Sequence, residues 1–294
     1  MTRAEKRRLL TGLAFISPWI AGFLVFTVFP VCASVYYSFC DYDVLSKPVW
    51  IGWLNYRDMF TDSVFWKSLY NTFYYAALSL PLGLVISLLV AVLLNQQVKG
   101  RPLFRAIFFL PSLIPVVASS MIWLWILNGN FGILNHALGW VHIKGPQWLA
   151  DEKWTKPSLI LMALWGCGSG MVIYLAALQD VPRSLYESAE IDGASAWVQF
   201  RHITIPMISP VLYFNLIMGI IGSLQVFANA YIMLGGGGPN RSALFYAVYL
   251  YQNAFDYQQM GYASAMAWVL FLIILALTWG ATRSTRKLIF YQGE

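Results

Sequence analysis

Charge is what this chain has least of. Aspartate, glutamate, lysine and arginine make up 11% of its 294 residues, where soluble domains average roughly 25%. With 59% hydrophobic residues, that shortage excludes a soluble globular domain. Cysteine is scarce as well. Cys32, Cys40 and Cys167 are too few for a disulfide framework. Cys32 and Cys40 fall on one predicted helix, roughly 12 Å apart by helical rise, and cannot bridge. All three read as small apolar packing residues. The histidines, His136, His142 and His202, are scattered, and no His-Glu-x-x-His or Cys-x-x-Cys occurs. No metal site is expected. There is also no Gly-x-x-x-x-Gly-Lys-Ser/Thr, so no P-loop cradles a nucleotide. The four glycines Gly235–Gly238 read as a turn. No Ser/His/Asp arrangement appears. The chain is expected to hold no catalytic residue and no cofactor of its own. Its net charge of +6 does not point to nucleic acid, because the basic residues sit at the ends of apolar runs.

Apolar sequence is what the chain has in abundance. Six runs reach the roughly 20 residues that cross a ~30 Å hydrocarbon core. They lie near Leu9–Phe39, Ser68–Gln96, Leu103–Leu127, Ser158–Leu178, Ile205–Leu234 and Tyr262–Thr282. None has a charged residue within its core. The predicted fold is an all-α polytopic membrane protein of about six transmembrane helices, a single domain over residues 1–294. The first run is too long for a signal-peptide apolar region and reads as a retained span. Pro18, Pro30, Pro81, Pro111 and Pro115 predict kinks whose freed carbonyls need other partners.

Lysine and arginine set the orientation. One side collects Arg3, Lys6, Arg7, Arg8, Lys99, Arg101, Arg105, Arg183, Arg201, Arg283, Arg286 and Lys287; the other has Lys47, Arg57, Lys67, Lys144, Lys153, Lys156 and Arg241. That is 12 against 7. The positive-inside rule then predicts both termini in the cytoplasm. Three outer loops of roughly 28 residues, near Cys40–Lys67, Asn128–Pro157 and Gly235–Gly261, are rich in Trp and Tyr. Trp50, Trp53, Tyr56, Trp66, Trp140, Trp148, Trp154, Tyr246, Tyr249 and Tyr251 suit an interfacial aromatic belt or a docking surface for an extracytoplasmic protein.

The long polar segment 182–206 lies on the inner side. Pro182 ends the fourth span. Ser184 and Glu187 have capping-box spacing, which predicts a short helix over Leu185–Asp192. Gly193 suits its C-terminal end. Ser195 is placed to cap a second short helix toward Phe200, and Pro206 restarts the chain into the fifth span. Glu187, Glu190 and Asp192 give the first helix an acidic rim. An interfacial amphipathic helix prefers basic residues there, so the segment reads as a docking element for a soluble partner.

Its residues carry a resemblance. Glu187, Ala189, Gly193, Ile203 and Pro206 match, without a gap, the EAA loop of binding-protein-dependent ABC importer permeases. Ser188 and Ile205 are mild departures. The surrounding Ile191-Asp192-Gly193-Ala194, Trp197, Phe200-Arg201 and Ile203-Thr204 look like the sugar-permease branch related to the maltose system, as do Ser17-Pro18, Gln225-Val226-Phe227 and Gly236-Gly237-Gly238-Pro239. The resemblance covers nearly the whole chain. It implies a type I importer transmembrane domain in a bacterial inner membrane. It implies a second permease subunit, two ATP-binding subunits that use ATP and Mg, and an extracytoplasmic solute-binding protein. Glu187, Ser188, Ala189, Asp192, Gly193, Ile203 and Pro206 become the expected ATPase-coupling residues.

The uncharged span cores bear on mechanism independently. Ion-coupled carriers keep an ionisable group in the membrane, and none is expected here. A neutral substrate, a sugar or oligosaccharide, fits such a pathway. Expected lining residues are Trp165, Ser169, Gln225, Phe227, Asn229 and Tyr231. Gln225 and Asn229 are placed one turn apart on one helix face. Each of these polar groups also has a plainer reading as an interhelical hydrogen bond, which is favoured for Asn71 and Asn215. The alternatives are an importer of glycerol phosphate or another polyol derivative, a stand-alone secondary carrier, or a scaffold or receptor that transports nothing.

Overall fold

The structure is a computed structural model that describes residues 2–96 and 99–286. Lys287, counted above for orientation, lies outside the described residues. The chain begins with α1 (Arg3–Phe23), a π-helical turn (Leu24–Val28) and α2 (Phe29–Ser38). A short antiparallel pair, β1 (Cys40–Asp41) with β2 (Val49–Trp50), leads to α3 (Leu54–Thr61). Then come α4 (Ser63–Asn95), α5 (Arg101–Leu113), α6 (Val116–Ile126), α7 (Ile133–Trp140), α8 (Glu152–Trp165) and α9 (Gly168–Gln179). The polar segment holds α10 (Arg183–Ile191), α11 (Ala196–Gln199), a π-turn (Phe200–Thr204) and α12 (Ile205–Met207). Last are α13 (Ser209–Leu224), α14 (Ala228–Leu234), α15 (Tyr246–Tyr251) and α16 (Met260–Thr285).

The all-α architecture is as the apolar runs predict, but the runs are not six straight helices. Among the described residues, four stretches, Arg3–Ser38, Ser63–Asn95, Ser209–Leu234 and Met260–Thr285, are long and apolar enough to cross a membrane. The third run is a pair, α5 and α6, bent by 102°. Pro115 is the cause. It stands at the N-cap of α6, and Ile114 before it takes an extended conformation (φ −75°, ψ 127°), as residues preceding proline do. The fourth run is α8 and α9, bent by 42°. The fifth is interrupted at Gln225–Phe227, between α13 and α14.

The chain forms two compact units, the residues before Ser63 with Leu250–Phe271, and Ser63–Tyr249 with the helix from Leu272 on. In the first, Thr2 and Glu5 form a reciprocal capping box at the start of α1, which satisfies two otherwise free backbone donors. Buried Asn55 donates to the Ser38 and Cys40 carbonyls, both at 2.9 Å. Gly261 donates to the Tyr42 carbonyl at 3.0 Å. A Cβ there would lie 2.0 Å from the Cys40 carbonyl oxygen, so only glycine allows this contact.

The second unit is built on α4, packed against α8, α9 and α13. One apolar cluster gathers Tyr75, Trp123, Leu159, Met233, Phe245 and their neighbours. Another gathers Ala91, Leu94, Met171, Tyr174, Leu178 and Ile208. Two expected loop aromatics belong inside rather than on a belt. Tyr246 is fully buried, with its ring edge-on to Phe65. Trp148 donates its indole N–H to Asn135 Oδ1 at 2.6 Å. Trp50, Trp53, Trp66, Trp140 and Trp154 are exposed, as a belt requires. The three loops predicted to lie outside are partly helical, holding α3, α7 and α15.

Gly168 sets how closely α9 approaches α5. A Cβ there would meet the Phe108 carbonyl oxygen at 2.3 Å and Phe109 Cα at 2.9 Å. Gly168→Val is expected to destabilise the protein by about 2 kcal/mol or more through overpacking. Gly280→Ala, with nothing within 4 Å of the added atom, is expected to leave stability unchanged or slightly raised. Thermal melts of the two purified variants in detergent check the contrast.

Candidate functional site

Segment 182–206 folds as helix, glycine, helix, with different caps from those expected. The first helix, α10, starts at Arg183 with Pro182 at its N-cap and no side-chain cap. Ser184 therefore lies inside the helix, and the capping box with Glu187 does not form. The physical reason is Pro182. Its fixed φ, −60° here, pre-organises the turn, and its carbonyl accepts from Leu185 N–H at 3.2 Å. Ser195 does occupy the N-cap position of α11, but its side chain makes no cap bond. The glycine is placed as expected. Gly193 has φ +76°. Its N–H donates to the Glu190 carbonyl at 3.0 Å, and Ala194 N–H donates to the Ala189 carbonyl at 2.9 Å. These two bonds form a Schellman motif, which needs a left-handed residue at that point.

The expected coupling residues divide into two groups. Glu187, Ser188, Asp192 and Gly193 are exposed, and Ala189 is half-buried. Ile203 packs against the cluster around Tyr174 and Ile208, and Pro206 is half-buried. These two anchor the segment rather than present it. Tyr186 hydroxyl bonds Thr204 Oγ1 at 2.9 Å, tying α10 to the π-turn. Sequence reasoning did not single out the exposed apolar side chains. Ile191 is 87% exposed and Trp197 68% exposed, and Trp197 stacks on Phe200 with ring centroids 5.7 Å apart. An isoleucine and a tryptophan thus stand bare beside a polar rim.

A groove of about 450 Å³ runs between α4, α9 and α13. Small residues open it. Ser79, Gly83 and Ser87 recur every four residues on α4, facing Gly166, Ser169 and Gly170, and Asn215, Gly219, Gly222 and Ser223. Gly219 permits the close approach, since a Cβ there would meet Leu80 Cδ1 at 2.3 Å. Ser87 Oγ donates to the Cys167 carbonyl at 3.1 Å, a carbonyl at the bend between α8 and α9. Among the described residues, no Asp, Glu, Lys, Arg or His lines the groove.

Of the expected pathway residues, the groove brings together Ser169 and Asn229. Asn229 Oδ1 accepts from Ser120 Oγ at 3.3 Å. Gln225 and Asn229 do not share a helix face. Gln225 caps the end of α13 with φ −105° and ψ 19°, Phe227 has φ −136° and ψ −68°, and the helix restarts at Ala228. Gln225 is exposed and outside the groove lining. Trp165, Phe227 and Tyr231 pack against the cluster around Trp123. Trp165 lies edge-on to Trp123 at 5.8 Å, and Phe227 stacks with Tyr231 at 5.3 Å. Asn215 lines the groove and donates to the Val211 carbonyl of its own helix at 2.9 Å, not to a neighbouring helix. Asn71 is the interhelical tie expected of it. It donates to the Arg241 and Leu244 carbonyls at 3.0 and 3.1 Å and accepts from Lys156 Nζ at 3.0 Å. Lys156 also sits over the Tyr70 and Tyr74 rings, at 5.4 and 5.2 Å.

The chain has relatives along its whole length. The family profile described as "Binding-protein-dependent transport system inner membrane component" matches residues 65–289. Bacillus subtilis (strain 168) has a protein named "Probable ABC transporter permease protein YesP", 41% identical over 297 residues, covering 100% of this chain and 96% of that one. The "Lactose transport system permease protein LacF" of Rhizobium radiobacter is 33% identical, covering 92% of each. The crystal structure of a bacterial ABC transporter that imports the acidic polysaccharide alginate contains a chain of the same fold. Its TM-score is 0.86 at 24% identity, over 97% of this chain and 98% of that one.

Asn71 gives a test that separates scaffold from pathway. Asn71→Leu is expected to cost about 2–4 kcal/mol, because two carbonyls and a lysine lose their partner. Thermal melts should fall, while the order of preference among transported substrates stays the same.

Proposed function

The chain belongs to the binding-protein-dependent transport system inner membrane components, and from that premise we propose that it conducts a neutral sugar or oligosaccharide through the groove between α4, α9 and α13. It is a transport subunit of an ABC importer in the inner membrane, not an enzyme. The observation that carries the substrate class is the lining. Hydroxyls of Ser79, Ser87, Ser169 and Ser223 and amides of Asn215 and Asn229 offer donors and acceptors without charge. A sugar needs that set. A glycerol phosphate would meet no cation in the groove, which disfavours that alternative. A stand-alone secondary carrier would need an ionisable group there.

Energy then comes from partners. In this reading ATP and Mg are used by two ATP-binding subunits, one of which docks on segment 182–206, within a single permease domain whose termini face the cytoplasm. Glu187, Ser188, Ala189, Asp192 and Gly193 form the docking face, and Ile203 and Pro206 hold it to the bundle. Ile191 and Trp197 supply its apolar centre. A second permease subunit and an extracytoplasmic solute-binding protein complete the complex. Membrane lipids cover the outer faces.

Uptake by proteoliposomes holding the whole complex tests the reading. Neutral sugar should enter with ATP and not with an ion gradient alone. Entry driven by the gradient without ATP would instead identify a secondary carrier. Asn229→Leu should reduce uptake several-fold, about the worth of one hydrogen bond, while Gln225→Leu, outside the groove, should leave it near normal.

Docking has its own test. Burying an isoleucine contributes about 1.5–3 kcal/mol, so Ile191→Asp should weaken ATPase binding roughly ten- to a hundredfold. Titration of the ATP-binding subunit onto the reconstituted permease measures this. Unaltered affinity would place docking elsewhere.

A further inference from the structure

Tyr174 stands between two cavities and has an unused hydroxyl. The groove lies beside the upper part of α13, from Asn215 to Ser223. A second cavity of about 410 Å³ lies beside the lower part, near Pro206, with walls that include Leu212, Leu216 and Tyr213. Tyr174 of α9 and Leu84 of α4 line both. Tyr174 is 0% exposed. Its hydroxyl is buried and has no hydrogen-bond partner, although buried tyrosine hydroxyls generally find one. Its ring packs in the cluster with Met171 and Ile208, and the residue lines both cavities.

Building on the sugar-import reading, we propose that Tyr174 is a sugar-contacting residue at the floor of the groove. Its ring, with Leu84, closes the groove from the lower cavity. When that wall opens, its hydroxyl hydrogen-bonds a hydroxyl of the passing sugar. The chemistry suits a neutral polyhydroxylated substrate. Leu84, Leu212, Leu216, Ile205 and Pro206 make much of the lower cavity's wall, and its Ser209 and Tyr213 hydroxyls already bond the Pro206 carbonyl and Thr282, so a sugar entering it leaves behind the serines and asparagines of the groove. A phenol serves both needs at that border, with a donor and acceptor in its hydroxyl and an apolar ring face for the C–H side of the sugar. Because no protein group holds the hydroxyl, no existing bond must break for it to bind.

The test compares Tyr174→Phe with the wild type in the assembled complex. The phenylalanine keeps the ring and removes only the oxygen. Expected results are a melting temperature equal to or above wild type, since no native bond is lost, and sugar uptake lowered about three- to tenfold. Tyr174→Ala, which joins the two cavities, should add a sugar leak that persists without ATP. A lower melting temperature for Tyr174→Phe would show that the hydroxyl has a structural partner and overturn the proposal. Uptake equal to wild type would also overturn it, as would Tyr174→Ala vesicles that stay tight to sugar. These outcomes differ from failure of the import reading, in which the wild-type complex itself would take up no sugar with ATP.

Discussion

A chain in hydrocarbon must satisfy its backbone and side-chain polar groups from within, and this constraint shapes the rest of the molecule. Hydroxyls along the helices turn back onto their own carbonyls. Ser68 bonds Phe65, Thr72 bonds Ser68, Ser120 bonds Val116, and Thr278 bonds Ile274. Such bonds cost nothing in packing and leave helix surfaces apolar. Where the ladder breaks, side chains from elsewhere step in. Ser87 reaches the Cys167 carbonyl at the α8–α9 bend. Asn71 reaches two carbonyls of the loop before α15.

Small residues do the complementary work. In the absence of a hydrophobic drive between helices in lipid, close packing depends on glycine, alanine and serine at the contacts. The same residues that let α4, α9 and α13 approach also open the groove between them, because a serine or glycine leaves space that a leucine would fill. Close packing and the groove thus share one set of positions. Among the described residues, no Asp, Glu, Lys, Arg or His enters that set. Beside Gly193, Ile191 and Trp197 are exposed, and the proposed docking of an ATP-binding subunit uses them.

Much of this was legible in the sequence. The apolar runs show the all-α membrane class, and the spacing from Glu187 to Pro206 shows the helix–glycine–helix segment. The repeat of Ser79, Gly83 and Ser87 at four-residue intervals also signals a close-packed face. What sequence reasoning missed follows from local backbone events. Pro115 turns one apolar run into two helices, since a residue before proline leaves the helical region. Gln225 and Asn229 have helical spacing but stand on either side of a break, which periodicity cannot detect. Pro182, not Ser184, begins α10. Tyr174 carried no signal at all. A tyrosine among apolar residues reads as core, and it is the wall between two cavities on which the proposal for it rests.

The central claim is that an uncharged groove between α4, α9 and α13 carries the sugar. The most direct measurement is a structure of the assembled importer with its sugar trapped in the membrane. The account predicts sugar density within hydrogen-bond distance of Ser169 and Asn229, with Tyr174 beneath it. Density against Gln225 and away from α4, or a cation or carboxylate contacting the sugar, would contradict it.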